Sequence, residues 1–199
     1  MRQTAFRLIA TVAMLLAPSV AFAHPGHGEG GSLVAGFSHP FNGTDHLLAM
    51  TAVGLFAAHV GGRALWAVPA AFVAVMALGG IFGAAGVSLP FAETAIALSV
   101  LVFGSVILSG ITPPALAAMV LVGIFAIFHG YAHGSEMPVD SVGILYGAGF
   151  MVATTLLHGF GIMLGLSIRW FDEVPRRRVM QACGITIGLI GAGLIIGLV

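Results

Sequence analysis

Six apolar segments follow one another along this chain with only short breaks between them, and this constrains the fold more than any other feature. They cover residues 44–60, 64–86, 91–109, 113–132, 141–168 and 179–199. A helix rises 1.5 Å per residue, so about 20 residues cross the hydrocarbon core of a bilayer, and each segment is close to that length. The breaks carry turn chemistry: Gly61-Gly62, Ser88-Leu89-Pro90, residues 110–114 and Met137-Pro138. Composition agrees. Charged residues are 7% of the chain, against roughly 25% in a soluble domain. Hydrophobic residues are 59% and the mean hydropathy is +1.09. A small soluble globule and a disordered chain are both excluded. The expected fold is an all-α integral membrane protein, a compact bundle of about six transmembrane helices forming one domain over residues 44–199. Glycine pairs four apart (Gly79/Gly83, Gly143/Gly147, Gly161/Gly165, Gly184/Gly188, Gly193/Gly197) let helices approach closely. They read as packing within one bundle, and a homo-oligomer stays open.

Residues 1–23 read as a secretory signal peptide. Arg2 and Arg7 form the basic region, Leu8 to Leu16 the apolar core, and Ala21-Phe22-Ala23 the cleavage site. The alternative is an uncleaved first helix, but the apolar run is too short to span comfortably. Residues 24–43 then form an extracytoplasmic tail and a short interfacial segment, expected as a helix over 33–38 stopped by Pro40. The tail holds His24, His27 and Glu29, which suit loose metal capture or simply a polar, flexible terminus. Arg63 lies between the first and second spans, and Arg169, Arg176, Arg177 and Arg178 between the fifth and sixth. Glu93, Glu136 and Asp140 occupy the opposite loops. Positive residues accumulate in the cytoplasm, so both termini are expected outside it.

Several functions are excluded. Net charge is zero, which gives no basis for a nucleic-acid partner. Lysine is absent, removing a Walker-type phosphate lysine and a Schiff base. The lone Cys183 rules out an intramolecular disulfide and a thiolate metal cluster.

Ionisable residues within membrane spans are expensive and mark function. They fall here in three places. The first is His39-Pro40-Phe41-Asn42-Gly43-Thr44-Asp45-His46, at the outer end of the first span, where Asn42 or Thr44 is expected to cap the helix that follows. Met50 shares a helical face with His46 and reads chiefly as packing. The second runs from Phe128 to Glu136, at the outer end of the fourth span. His129 and His133 are four residues apart and project from one face, and Glu136 continues that stripe if the helix persists. Two histidines on one turn are a common helical metal site. A zinc-protease reading fails, because position 130 is Gly rather than Glu. The third is His158, deep in the fifth span, either hydrogen-bonded to a carbonyl or a second ligand station. His59, at the cytoplasmic end of the first span, reads as interfacial and structural, with an exit-side role as the alternative. His39, Asp45, His46, His129, His133 and Glu136 together offer imidazole and carboxylate without thiolate, a set suited to divalent nickel, cobalt or zinc.

The motifs His39-Pro40-x-x-Gly43-x-Asp45-His46 and Phe128-His129-Gly130-x-Ala132-His133-Gly134-x-Glu136 resemble the paired signatures of the HupE/UreJ family, and the likeness covers the whole mature chain. The resemblance implies a bacterial inner-membrane permease that imports nickel or cobalt for hydrogenase, urease or cobalamin maturation. Transported Ni²⁺ or Co²⁺ would be its substrate, with no prosthetic group, and maturation proteins would be its functional partners. It does not choose between the two metals. The rival readings are an intramembrane zinc hydrolase, with Asp45 or Glu136 as base, and a metal-sensing membrane scaffold.

Overall fold

The computed structural model of the protein describes residues 33–137 and 141–197. The expected signal peptide and the tail with His24 and His27 lie outside the described residues. Within them there are seven helices and no strand: α1 (Leu33–Asn42), α2 (Thr44–Val60), α3 (Ala64–Ala84), α4 (Ala92–Ser109), α5 (Ala115–Glu136), α6 (Ser141–Ile168) and α7 (Glu173–Ile195). Five of them, α3 to α7, are long and apolar enough to cross a membrane. α2, the first expected span, has 17 residues. It can be short because it meets protein rather than lipid: 12 of its 17 residues are buried. It packs against α1, α3, α4 and α6, while α3 pairs with α5 and α4 with α7.

The bundle is apolar outside as well as inside. Leu78, Ile81, Leu116, Val120, Ile124, Val152, Leu156 and Leu189 are exposed along the spans, whereas His46, Ser99, His129, His133, Thr154 and His158 are buried. Lipid accepts the first set, and bundle interiors take the second.

Several expectations need correction. α1 does not stop at Pro40 but runs through it to Asn42. Its packing on α6 outweighs the lost backbone bond, since a Cβ at Gly36 would meet the Tyr146 backbone and one at Gly149 the Leu33 carbonyl. Neither Asn42 nor Thr44 caps α2; the N-cap is Gly43, without a side-chain bond. The second span ends at Ala84 rather than residue 86, and the third starts at Ala92, after Phe91 in a left-handed conformation. α5 persists to Glu136, four residues beyond the expected end. α7 begins at Glu173 rather than residue 179 and ends at Ile195, so Arg176, Arg177 and Arg178 belong to its opening turns rather than to a loop. Pro175 is tolerated there because first-turn N–H groups have no intrahelical partner.

Candidate metal centre

The start of α2, the end of α5, α1 and the start of α6 meet at one end of the bundle, and they bring together the residues of both motifs. Ring centroids of His46 lie 4.5 Å from His133 and 5.1 Å from His129. Those of His39 and His133 are 4.6 Å apart. His39, His133 and Glu136 each present one ligand atom, all within 4.8 Å of one another. Glu136 is exposed, His39 and Asp45 are half-buried, and His46, His129 and His133 are buried. The donors thus form a funnel from surface to interior.

Hydrogen bonds assign the imidazole protons. Asp45 Oδ1 accepts from the His46 backbone N–H and faces His46 Nδ1, both at 2.8 Å. A carboxylate only accepts, so Nδ1 of neutral His46 carries the proton and Nε2 a lone pair. That lone pair accepts from His133 Nε2–H across 2.6 Å, leaving His133 Nδ1 unprotonated. Ser99 Oγ donates to the Ile96 carbonyl at 2.6 Å. Its only hydrogen being used, it accepts from His129 Nε2–H at 3.1 Å, and His129 Nδ1 is left bare. Both bare nitrogens are buried without a partner among the described residues. An unpartnered imidazole lone pair is what a divalent late metal takes.

Around this core, the Tyr146 hydroxyl lies 2.7 Å from His39 Nδ1, and Phe150 packs on His133 at 4.1 Å between centroids. Burial pushes the His39 imidazole below its ordinary value, and the nearby His46 pushes it the same way, against the opposing influence of Glu136 and Asp45. His39 therefore favours the neutral form, the one able to bind a metal.

His158 is not part of this cluster. It lies deeper, on α6, with its ring 5.1 Å from Phe72, which also meets His129 at 5.6 Å. His59 is at the far end, lining a cavity of about 480 Å³ with Arg169, Arg176 and Arg177. Met50, one turn below His46, accepts a hydrogen bond from Thr154. Sequence reasoning missed Ser99, Tyr146 and Thr154. The available signal was polarity: each is a hydroxyl in an apolar span, but nothing in the sequence pairs it with a histidine or sulfur on another helix.

An apolar helical bundle that gathers imidazoles and carboxylates from separate helices at one end defines a multi-pass membrane protein with a cluster of candidate metal ligands. Residues 12–194 match the HupE / UreJ protein family. The chain is also 45% identical over 191 residues to Protein HupE of Rhizobium leguminosarum bv. viciae, an alignment covering 96% of this chain and 98% of that protein. The chain belongs to the HupE/UreJ family. Members are hydrogenase and urease accessory proteins associated with nickel and cobalt transport rather than catalysis. No solved structure matches the chain.

Proposed function

We propose that this protein imports divalent nickel or cobalt across the bacterial inner membrane, taking the ion at the imidazole–carboxylate funnel. The observation that carries the reading is the pair of buried, bare nitrogens, His129 Nδ1 and His133 Nδ1, set below His39 and Glu136. Glu136 and His39 meet the hydrated ion where water is still present, and the buried imidazoles replace its water as it descends. Asp45 acts through His46, holding that ring's tautomer and orientation. The ligands are mostly neutral and come from separate helices, which suits release as well as capture. His24 and His27 would raise the local ion concentration at the mouth. Family membership supports the same reading and the link to hydrogenase or urease maturation.

The test is uptake of radiolabelled nickel and cobalt in cells lacking other importers, normalised to protein in the membrane. His129→Ala and His133→Ala are each expected to cut uptake at least about tenfold, as loss of a metal-site group does, while insertion survives because each span becomes more apolar. Asp45→Asn, which keeps the shape and removes the charge, should impair uptake to a lesser degree. Wild-type flux in both alanine variants would remove the coordination role and leave two structural histidines.

A further inference from the structure

The geometry points to a second divalent-ion station inside the bundle, formed by the Met50 and Met76 thioethers with Thr154 and His158, whose nitrogen–sulfur donor set favours late first-row ions over hard ones. Thr154 Oγ1 lies 3.3 Å from Met50 Sδ and 3.9 Å from Met76 Sδ. These three residues come from α6, α2 and α3, and all are buried. The neighbouring Thr155 bonds back to the Met151 carbonyl, as helical threonines usually do. Thr154 turns its hydroxyl to the sulfurs instead. One turn further along α6, His158 is 1% exposed, and neither ring nitrogen has a partner among the described residues. A neutral imidazole carries one N–H and one lone pair, so His158 leaves both a donor and an acceptor unmet, which buried polar groups rarely do.

The spacing makes these residues a continuation of the mouth. On α6, Phe150 packs on His133, Thr154 follows four residues later and His158 four after that. Residues four apart share a face, and each step descends about 6 Å. On α2 the same step leads from His46 to Met50, and on α3 it separates Met76 from Phe72, whose ring covers His158. Three helices therefore turn a donor, or the ring that covers one, toward the interior at successive turns below the imidazole cluster.

Packing alone does not account for this set. A methionine that only fills a gap needs no polar partner, and an apolar core has no use for an imidazole with both nitrogens unmet. Thioether and imidazole donors suit nickel and its late neighbours, whereas magnesium, calcium and manganese prefer the oxygen ligands that Glu136 and Asp45 supply at the mouth. The deeper station thus adds a softer, carboxylate-free filter below the imidazole–carboxylate mouth. None of its four residues is anionic, so it holds a dication briefly, as passage requires. Its place in a route rests on the transport reading; its ability to bind metal does not.

The test uses full-length protein, in detergent for metal binding and in liposomes for flux. X-ray absorption at the nickel edge is recorded as nickel is added to the wild-type protein. A sulfur scatterer is expected once nickel exceeds what the mouth holds. Met50→Leu/Met76→Leu, which nearly conserves volume, should bind fewer nickel ions, show no sulfur shell, take up nickel at least about tenfold more slowly, and lose discrimination against manganese. Absence of sulfur at every nickel loading of the wild type overturns the station, and that reading needs no variant to fold. A well-inserted leucine pair with wild-type stoichiometry and flux overturns it too. A sulfur shell in a wild-type protein that carries no flux upholds the station and overturns the transport reading; flux without sulfur does the reverse.

Discussion

His39 joins the cluster from a helix too short to span, and its chemistry differs from that of an exposed histidine. Burial and His46 depress its proton affinity. In the unfolded chain an imidazole protonates near pH 6.5; in the folded protein His39 does so only at lower pH. Stability from the neutral ring is therefore fully present above about pH 6.5 and is lost as pH falls through the folded value. Ligation follows the same sign, because a metal needs the unprotonated nitrogen. Nickel binding by the purified protein is expected to persist as pH drops through about 6.5 and to be lost only at the lower pH where the buried His39 protonates, and the loss should move to higher pH where His39 is more exposed. A wild-type binding curve with its midpoint at or above the ordinary imidazole value would contradict this. His39 was legible as a candidate ligand from its motif, but its altered proton affinity was not, because that arises from burial against α2, α5 and α6.

Among the elements, α5 was the most readable. The four-residue spacing of His129 and His133 placed both on one face, and the persistence of the helix to Glu136 completed the stripe. Its back was readable only in kind. Gly130 and Gly134, with no side chains, leave that side thin, and the neighbour that comes close is α3: a Cβ on Gly130 would strike the Met76 carbonyl, and one on Gly134 the Gly80 carbonyl. Both obstacles are backbone, so the helices themselves must separate. Gly130→Ala is expected to destabilise the bundle by about 1–3 kcal/mol or more, the range for overpacking, and to displace the flanking imidazoles. Gly123, on the same helix, meets only a Val75 methyl at 3.7 Å, so Gly123→Ala should be neutral or slightly stabilising through helix propensity. Thermal unfolding in detergent separates the two, and equal melting temperatures would mean that the α3–α5 contact yields more easily than its backbone geometry implies. The α1 and α7 boundaries were misread for different reasons. At α1, Pro40 was taken as a stop, whereas it sits in a helix held by packing on α6; at α7, the apolar run was taken as the whole helix, which begins earlier, with Pro175 in its first turn and the arginines after it.

At the scale of the molecule, the two polar ends of the bundle are chemically opposite. The imidazole–carboxylate cluster gathers at the start of α2, and at the other end Arg169 donates to the carbonyl of Ala58 and approaches Gly61. Arg63 follows directly, and Arg176 and Arg177 line the cavity beside His59. Trp66 and Trp170 are 63% and 89% exposed next to these arginines, as interfacial anchors are. The arginines were legible in the sequence as charges between spans, although Arg176, Arg177 and Arg178 lie on the opening turns of α7 rather than in a loop. Their gathering opposite the cluster was not, because it depends on α2 crossing the bundle within 17 residues. That length corresponds to about 26 Å at 1.5 Å per residue, slightly less than a bilayer core, and it suffices for a helix enclosed by protein. With α2 counted as a sixth crossing, the positive-inside rule predicts that the arginine-rich end faces the cytoplasm. On that orientation the cluster would open outside, where the proposed import would begin, and the carboxyl end of α7 would lie on the same side. A reporter active only outside the cytoplasm, fused after Val199, is expected to be active, and one requiring the cytoplasm to be silent. Fused in the 61–63 turn, the pair should exchange behaviour. The reverse result at both positions would invert the protein, put the imidazole funnel in the cytoplasm, and make the same ligands an export or sensing site rather than an intake.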